Sequence, residues 1–175
     1  MTDGTRPQGP GSPVKGSPLH RAALFLLSVG VCYGAAAVGS FFTGLSVNTW
    51  YPALVKPPLT PPGWVIGAIW TVLYFLMGVS LFLVLEAGTD RPGVRKGVAL
   101  FSLQLVLNVA WSLLFFGLRS PSLGLVGIVL LWGAVAATVL GFRSLSRTAA
   151  YLLVPYLVWV TVAGILNAGI LLLNP

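Results

Sequence analysis

From residue 22 onward the chain alternates between long apolar runs and short polar breaks. Five runs, at 22–44, 64–87, 98–118, 121–143 and 149–173, are each long enough for a bilayer core of about 30 Å, which takes ~20 helical residues at ~1.5 Å rise. None shows the strict alternation that a lipid-facing barrel strand needs, so the pattern predicts an all-α membrane protein, a five-transmembrane-helix bundle. Between the third and fourth runs stands "RSPS", with Ser120 placed to cap and Pro121 to open the next helix. So short a link makes those helices antiparallel neighbours. The run from Arg21 through "GAAAVGS" has the start of a signal peptide, but it continues through Phe41 and Phe42 and reads as an uncleaved first span. Residues 1–21 hold four Pro and four Gly and predict a disordered tail. The membrane domain is then 22–175.

Composition agrees. The 175 residues are 57% hydrophobic and 7% charged, with a mean hydropathy of +0.93, whereas a soluble domain carries about a quarter charged residues. The bilayer is therefore the solvent for most of the chain. The net charge of +7 would suggest nucleic acid in a soluble protein. Here no basic patch alternates with exposed aromatics, and nucleic acid is not expected as a partner. The basic residues sort by side instead. Eight of the ten (Arg6, Lys15, Arg21, Arg91, Arg95, Lys96, Arg143, Arg147) fall with the N-terminus, and two (Lys56, Arg119) fall opposite. That bias predicts a bacterial inner-membrane protein with its N-terminus in the cytoplasm and its C-terminus outside. The lone Cys32 and the lone His20 leave no multi-cysteine or histidine metal site, and no metal is expected. No span carries a charge in its middle, which argues against a proton relay, voltage sensor or ion pathway. Five spans also exclude an inverted two-fold transporter repeat within one chain.

The candidate chemistry lies in polar-aromatic stripes. Trp70 is seven residues into the second span, ~10 Å deep, with Tyr74 and Met77 following on the same face. On the third span Gln104, Asn108 and Trp111 fall at i, i+4 and i+7. On the fifth, Trp159, Ala163 and Asn167 form another stripe. Amides in hydrocarbon must be hydrogen-bonded, so these stripes face inward, either as glue between helices or as ligand contacts. Trp70, Trp111 and Trp159 are too deep for an interfacial belt. Beside small residues such as Ala163 and Gly164 they suit a pocket for a flat apolar ligand. Trp50 and Trp64 sit at the water interface, where Trp anchors; Trp50, at the pocket mouth, is also counted among the ligand contacts. Trp132 lacks a polar companion in sequence and is expected to face lipid. The stretch 45–63 carries "KPPLTPP", in which Lys56, Pro57, Thr60, Pro61 and Pro62 make a semi-rigid lid over the mouth. Lys56 is its only charge, suited to a ligand carboxylate or a lipid phosphate. Pro155 is expected to kink the fifth helix. The Gly30/Gly34 pair permits a helix dimer without requiring one.

Four motifs, in order over residues 50 to 167, carry a family resemblance: "WY…KP…PPGW", "IWTVLY.LMG", "QL.LN.AWS.LFFG" and "VPYLVW…A..LN". Together they resemble the translocator protein family (TspO/MBR, the tryptophan-rich sensory proteins), in its bacterial form. The resemblance implies a five-helix bundle, usually a homodimer, that binds porphyrins, sterols and isoquinoline-type ligands beneath the loop between the first two helices. It implies that Trp70, Tyr74, Asn108, Trp111, Trp159, Ala163 and Leu166 line the pocket. It also implies a light-dependent degradation of protoporphyrin IX in which Trp70 and Trp159 take part as the catalytic pair. No obligatory cofactor is implied; the porphyrin is ligand or substrate. The sequence departs from the animal members in two places. "ILNAGILLLNP" lacks the Tyr-plus-basic sterol motif, and Thr60 stands where those members have a histidine, which removes axial haem ligation from that position. Three roles follow: a tetrapyrrole-binding sensor or regulator of porphyrin or stress metabolism, a porphyrin-degrading enzyme, or a transporter of porphyrins or other small molecules.

Overall fold

A computed structural model describes residues 17–88 and 91–175. Five long helices appear: α1 (Pro18–Gly44), α2 (Gly63–Glu86), α3 (Pro92–Ser112), α4 (Pro121–Arg143) and α5 (Arg147–Leu173). All are long and apolar enough to cross a membrane, and the described residues contain no strand. The all-α five-span expectation holds, with ends shifted by a few residues.

The shifts have local causes. α1 starts four residues early, because the Ser17 side chain accepts from the His20 amide at 3.3 Å and Pro18 takes the first helical position. Of the tail expected to be disordered, residues 1–16 lie outside the described residues. α3 starts at Pro92 rather than 98, again with proline in the first turn. Its far end widens into a π-helical turn, Leu113–Gly117. Arg119 then adopts a left-handed conformation (φ 52°) and reverses the chain. Ser120 caps α4 as expected, its hydroxyl accepting from the Leu123 amide at 3.3 Å. Ser146 does the same for α5 through Ala149.

Around the bundle the helices follow the order α1, α2, α5, α4, α3, and α3 closes the ring on α1. Lipid tails are as apolar as leucine, so packing and interhelical hydrogen bonds, rather than hydrophobic burial, must hold such a ring together. Successive pairs carry such bonds. The Tyr33 hydroxyl of α1 donates to the Thr71 carbonyl of α2 at 3.0 Å. Ser80 Oγ of α2 donates to the Ala149 carbonyl of α5 at 2.8 Å. Trp132 Nε1 of α4 donates to Thr161 Oγ1 of α5 at 2.9 Å. Trp132 is partly exposed, as expected, but it has the polar companion that its own helix lacks. Phe101 of α3 stacks on Phe142 of α4 with centroids 5.9 Å apart and planes 4° from parallel. Gly78 lets α2 close onto the Val29 backbone of α1, whereas Gly30 and Gly34 meet nothing within 4 Å.

The two ends of the bundle differ in charge. At one end Arg21 pairs with Glu86 at 2.5 Å, and Leu145 of the α4–α5 turn packs on Gly93 and Gly97 of α3. Arg91, Arg95, Lys96, Arg143 and Arg147 belong to this end. The other end carries the proline-rich segment, a 3₁₀ turn at Tyr51–Ala53 and the π turn.

Candidate functional site

Beneath the proline-rich end lies a cavity of about 540 Å³. α1, α2, α3 and α5 wall it, and the π turn closes one side with Phe115 and Phe116. Trp70 and Tyr74 come from α2, Asn108, Trp111 and Ser112 from α3, and Trp159, Ala163, Leu166 and Asn167 from α5. Helical spacing explains the convergence, since each set repeats at three or four residues and so shares one face. No Asp, Glu, His, Lys or Arg among the described residues lines the cavity. Among the described residues no group of three or more His, Cys, Asp or Glu could hold a metal.

The polar groups of the wall are largely paired with one another. The Tyr74 hydroxyl donates to Asn108 Oδ1, and Asn108 Nδ2 donates to the Tyr156 hydroxyl at 3.0 Å. This chain ties α2, α3 and α5 together and forms the polar floor. Higher up, Trp111 Nε1 donates to Asn167 Oδ1 at 3.3 Å, and Asn167 Nδ2 donates to the Pro121 carbonyl at 2.7 Å, where α4 begins. Gly124 makes room for this joint: a Cβ there would stand 2.7 Å from both Asn167 Oδ1 and Phe115 Cδ2. Asn108 and Asn167 therefore act both as interhelical glue and as cavity wall. One donor in the wall is left over, because Trp159 Nε1 is buried and has no hydrogen-bond partner among the described residues.

Aromatic faces complete the enclosure. Trp70 lies 5.6 Å from Tyr74 and 6.0 Å, edge-on, from Tyr156. Trp111 stacks on Phe115 at 5.5 Å. Between α1 and α2 the lining residues Ala37, Ser40, Gly67 and Thr71 are exposed, so this seam is where the cavity meets the lipid-facing surface.

Most of the sequence-selected residues meet in this wall: Trp70, Tyr74, Asn108, Trp111, Trp159, Ala163, Leu166 and Asn167. Two others do not reach it. Gln104 is 1% exposed, one turn beyond the floor, and neither polar atom of its amide has a hydrogen-bond partner among the described residues. Trp50 turns onto Phe115, with centroids 5.6 Å apart, and supports the wall from behind.

The five lid residues also stand outside the lining, as a cover held by its own contacts. Lys56 Nζ donates to the Pro52 and Leu54 carbonyls at 3.2 and 3.1 Å and lies 4.8 Å over the Tyr51 ring. It thus closes its own turn. Burial pushes the Tyr51 phenol above its usual pKa. Thr60 Oγ1 donates to the Pro57 carbonyl at 2.8 Å, which makes a tight turn before Pro61 and Pro62. Asn174 fastens the cover to α5: its amide exchanges hydrogen bonds with Val55, accepting at 3.0 Å and donating at 2.9 Å.

Sequence reasoning passed over Tyr156, although Tyr156, Ala163 and Asn167 are spaced i, i+7 and i+11 on the same face. It also passed over Tyr33, Tyr51 and the Phe115–Phe116 pair. The last two are brought in by the π turn, which no pattern of apolar residues announces.

Fold and site together define an integral membrane bundle of five helices around an uncharged, tryptophan-walled cavity beneath a proline-rich cover. The chain belongs to the TspO/MBR family, whose match covers residues 28–173. It is 46% identical over 149 residues to the tryptophan-rich protein TspO of Chlorobaculum tepidum, covering 85% of this chain and 94% of that one. It is 48% identical over 136 residues to the protein of that name from Archaeoglobus fulgidus, covering 78% and 87%. Similarity extends to the translocator protein of Homo sapiens, at 41% over 133 residues, 74% of this chain and 78% of that one.

Proposed function

We propose that the chain binds tetrapyrroles such as protoporphyrin IX, or other flat apolar ligands, within the bundle and acts as a sensor or regulator of porphyrin or stress metabolism. The observation that carries this reading is the cavity of about 540 Å³, walled by Trp70, Trp111 and Trp159 without a charged side chain. Small-molecule sites are typically ~300–1,000 Å³, mostly apolar, with a few placed polar groups. Asn108 and the unpaired Trp159 N–H are those groups here. The charge bias further supports a cytoplasmic N-terminus in a bacterial inner membrane, with the cavity in the outer half. The family resemblance supports a homodimer.

A second reading, light-dependent degradation of porphyrin, is favoured by one observation: Trp70 and Trp159 stand in the same cavity wall, where a bound ring would lie within reach of both. A transporter is less well supported, because beyond the Tyr74–Asn108–Tyr156 floor the core continues with buried Met77, Leu81 and Leu153 rather than a polar path.

The test is a titration of the purified chain with protoporphyrin IX in the dark, followed by tryptophan quenching, and then illumination of the complex. Saturable quenching with a stable absorption spectrum supports the sensor. A new product band that is lost in Trp70→Phe and Trp159→Phe makes the chain an enzyme. Quenching that never saturates would remove the porphyrin assignment.

A further inference from the structure

At the basic end of the bundle a second hollow, of about 250 Å³, opens on the outer seam between α4 and α5. α4 contributes Val139, Leu140 and Arg143 to it, and α5 contributes Arg147, Ala150, Tyr151 and Val154. Arg147, Tyr151 and Val154 fall at i, i+4 and i+7 and share one face with Ala150 at i+3. Leu140 and Arg143 are likewise i and i+3 on α4. Each stripe therefore starts with an arginine at the helix end and runs inward to aliphatic side chains. Tyr151 lies ~6 Å and Val154 ~10 Å along the axis from Arg147.

This sequence of chemistry follows the profile of a phospholipid. Both arginines are exposed, and neither forms an ion pair among the described residues. The turn that joins them is three residues long, Ser144 to Ser146, so both guanidinium groups belong to one small region of the surface. The C-terminus of α4 and the N-terminus of α5 meet there with opposing fields, so the attraction for an anion comes from the two guanidinium groups. Tyr151 is 68% exposed, one turn inward from Arg147, and presents an apolar ring with a polar tip. Leu140 and Val154 are exposed apolar surface within the membrane-spanning length of their helices. Positive-inside bias asks only for basic residues on one side; it does not require a hollow that runs from two arginines down to aliphatic side chains. A soluble phosphate would satisfy the arginines and leave the apolar part empty. Basic clefts between transmembrane helices are established sites for anionic headgroups.

We propose that this seam binds an anionic phospholipid, with its phosphate between Arg143 and Arg147, its ester region beside Tyr151 and the first part of one acyl chain along Leu140 and Val154.

The test uses the full chain in detergent micelles, with lipid adducts counted by native mass spectrometry. The probes are dioleoylphosphatidylglycerol and, as zwitterionic comparison, dioleoylphosphatidylcholine. The parent chain is expected to retain phosphatidylglycerol in preference to phosphatidylcholine. The double change Arg143→Gln/Arg147→Gln should weaken that adduct at least about fivefold. The double change Arg95→Gln/Lys96→Gln, equal in charge at the same end of the bundle, should leave it intact. Val154→Trp, which fills the apolar part without altering charge, should weaken it as well. Equal adducts of the two lipids, or equal losses in both double-charge variants, would overturn the site. Full displacement by inorganic phosphate together with no effect of Val154→Trp would make the ligand a free anion and overturn the lipid.

Discussion

The ring of Pro57 occupies the place that a side chain at Gly169 would take. A Cβ built on Gly169 would stand 2.5 Å from Pro57 Cγ, closer than real Cβ atoms come. The cover of the cavity is therefore docked into a notch on α5, and the Asn174–Val55 amide pair holds it from the next turn. Gly169→Ala should lift Pro57 and strain that pair. The expected outcome is faster hydrogen exchange at the Val55 amide and several-fold faster ligand dissociation, with little change in thermal stability because the bundle core is untouched. Unchanged exchange at Val55 would show that the cover does not depend on the notch.

How much of this was legible in the sequence depends on the kind of feature. The spans, the Ser120 cap and the deep tryptophans follow from periodicity and rise per residue, which act locally. The cover was legible as a stiff segment but not in its docking, because Gly169 and Asn174 lie more than a hundred residues along the chain from their partners. Lys56 shows the same limit. A lone charge in an apolar loop invites a ligand or a lipid, and residue pattern does not announce that the carbonyls of Pro52 and Leu54 also accept from it. The π turn and the left-handed Arg119 leave no trace in residue pattern, since arginine has no special tolerance for positive φ. Tyr156 was within reach, because its spacing from Asn167 places it on a stripe already recognised.

Asn108 satisfies two phenols at once, so its removal should cost more than the loss of either phenol. Tyr156→Phe deletes one hydrogen bond and leaves one buried donor, Asn108 Nδ2, without its partner, at the lower end of about 1–3 kcal/mol. Asn108→Leu leaves the Tyr74 and Tyr156 hydroxyls buried without this partner and should cost the upper end of that range. Unfolding in mixed micelles measures both. If Tyr156→Phe proves as costly as Asn108→Leu, the floor is not a network centred on the amide.

Gln104 supplies the opposite case. It is as buried as Asn108, but neither its carbonyl nor its amide group has a hydrogen-bond partner among the described residues. An unpaired polar side chain in a bundle core lowers stability, so Gln104→Met, of similar length and without polar ends, should raise the unfolding midpoint by about 1–3 kcal/mol equivalent. Ligand affinity should stay near the parent value, since Gln104 lies beyond the floor. A stabilised variant that has also lost affinity would place Gln104 in contact with the ligand.

Ala163 separates affinity from stability in another way. It forms part of the cavity wall on α5, between Trp159 and Asn167, and is partly buried against the core. Ala163→Thr adds bulk to that wall, and the added hydroxyl can bond back to the Trp159 carbonyl one turn earlier, so the helix tolerates it. The unliganded bundle should melt at nearly the parent temperature. A flat ligand that fills the cavity would now be overpacked, at a cost of about 1–3 kcal/mol, so protoporphyrin IX should bind about five- to hundredfold more weakly. Quenching titrations read the affinity, and a thermal scan of the same sample reads the stability. Unchanged affinity with unchanged melting would mean that the ligand does not occupy this wall of the cavity.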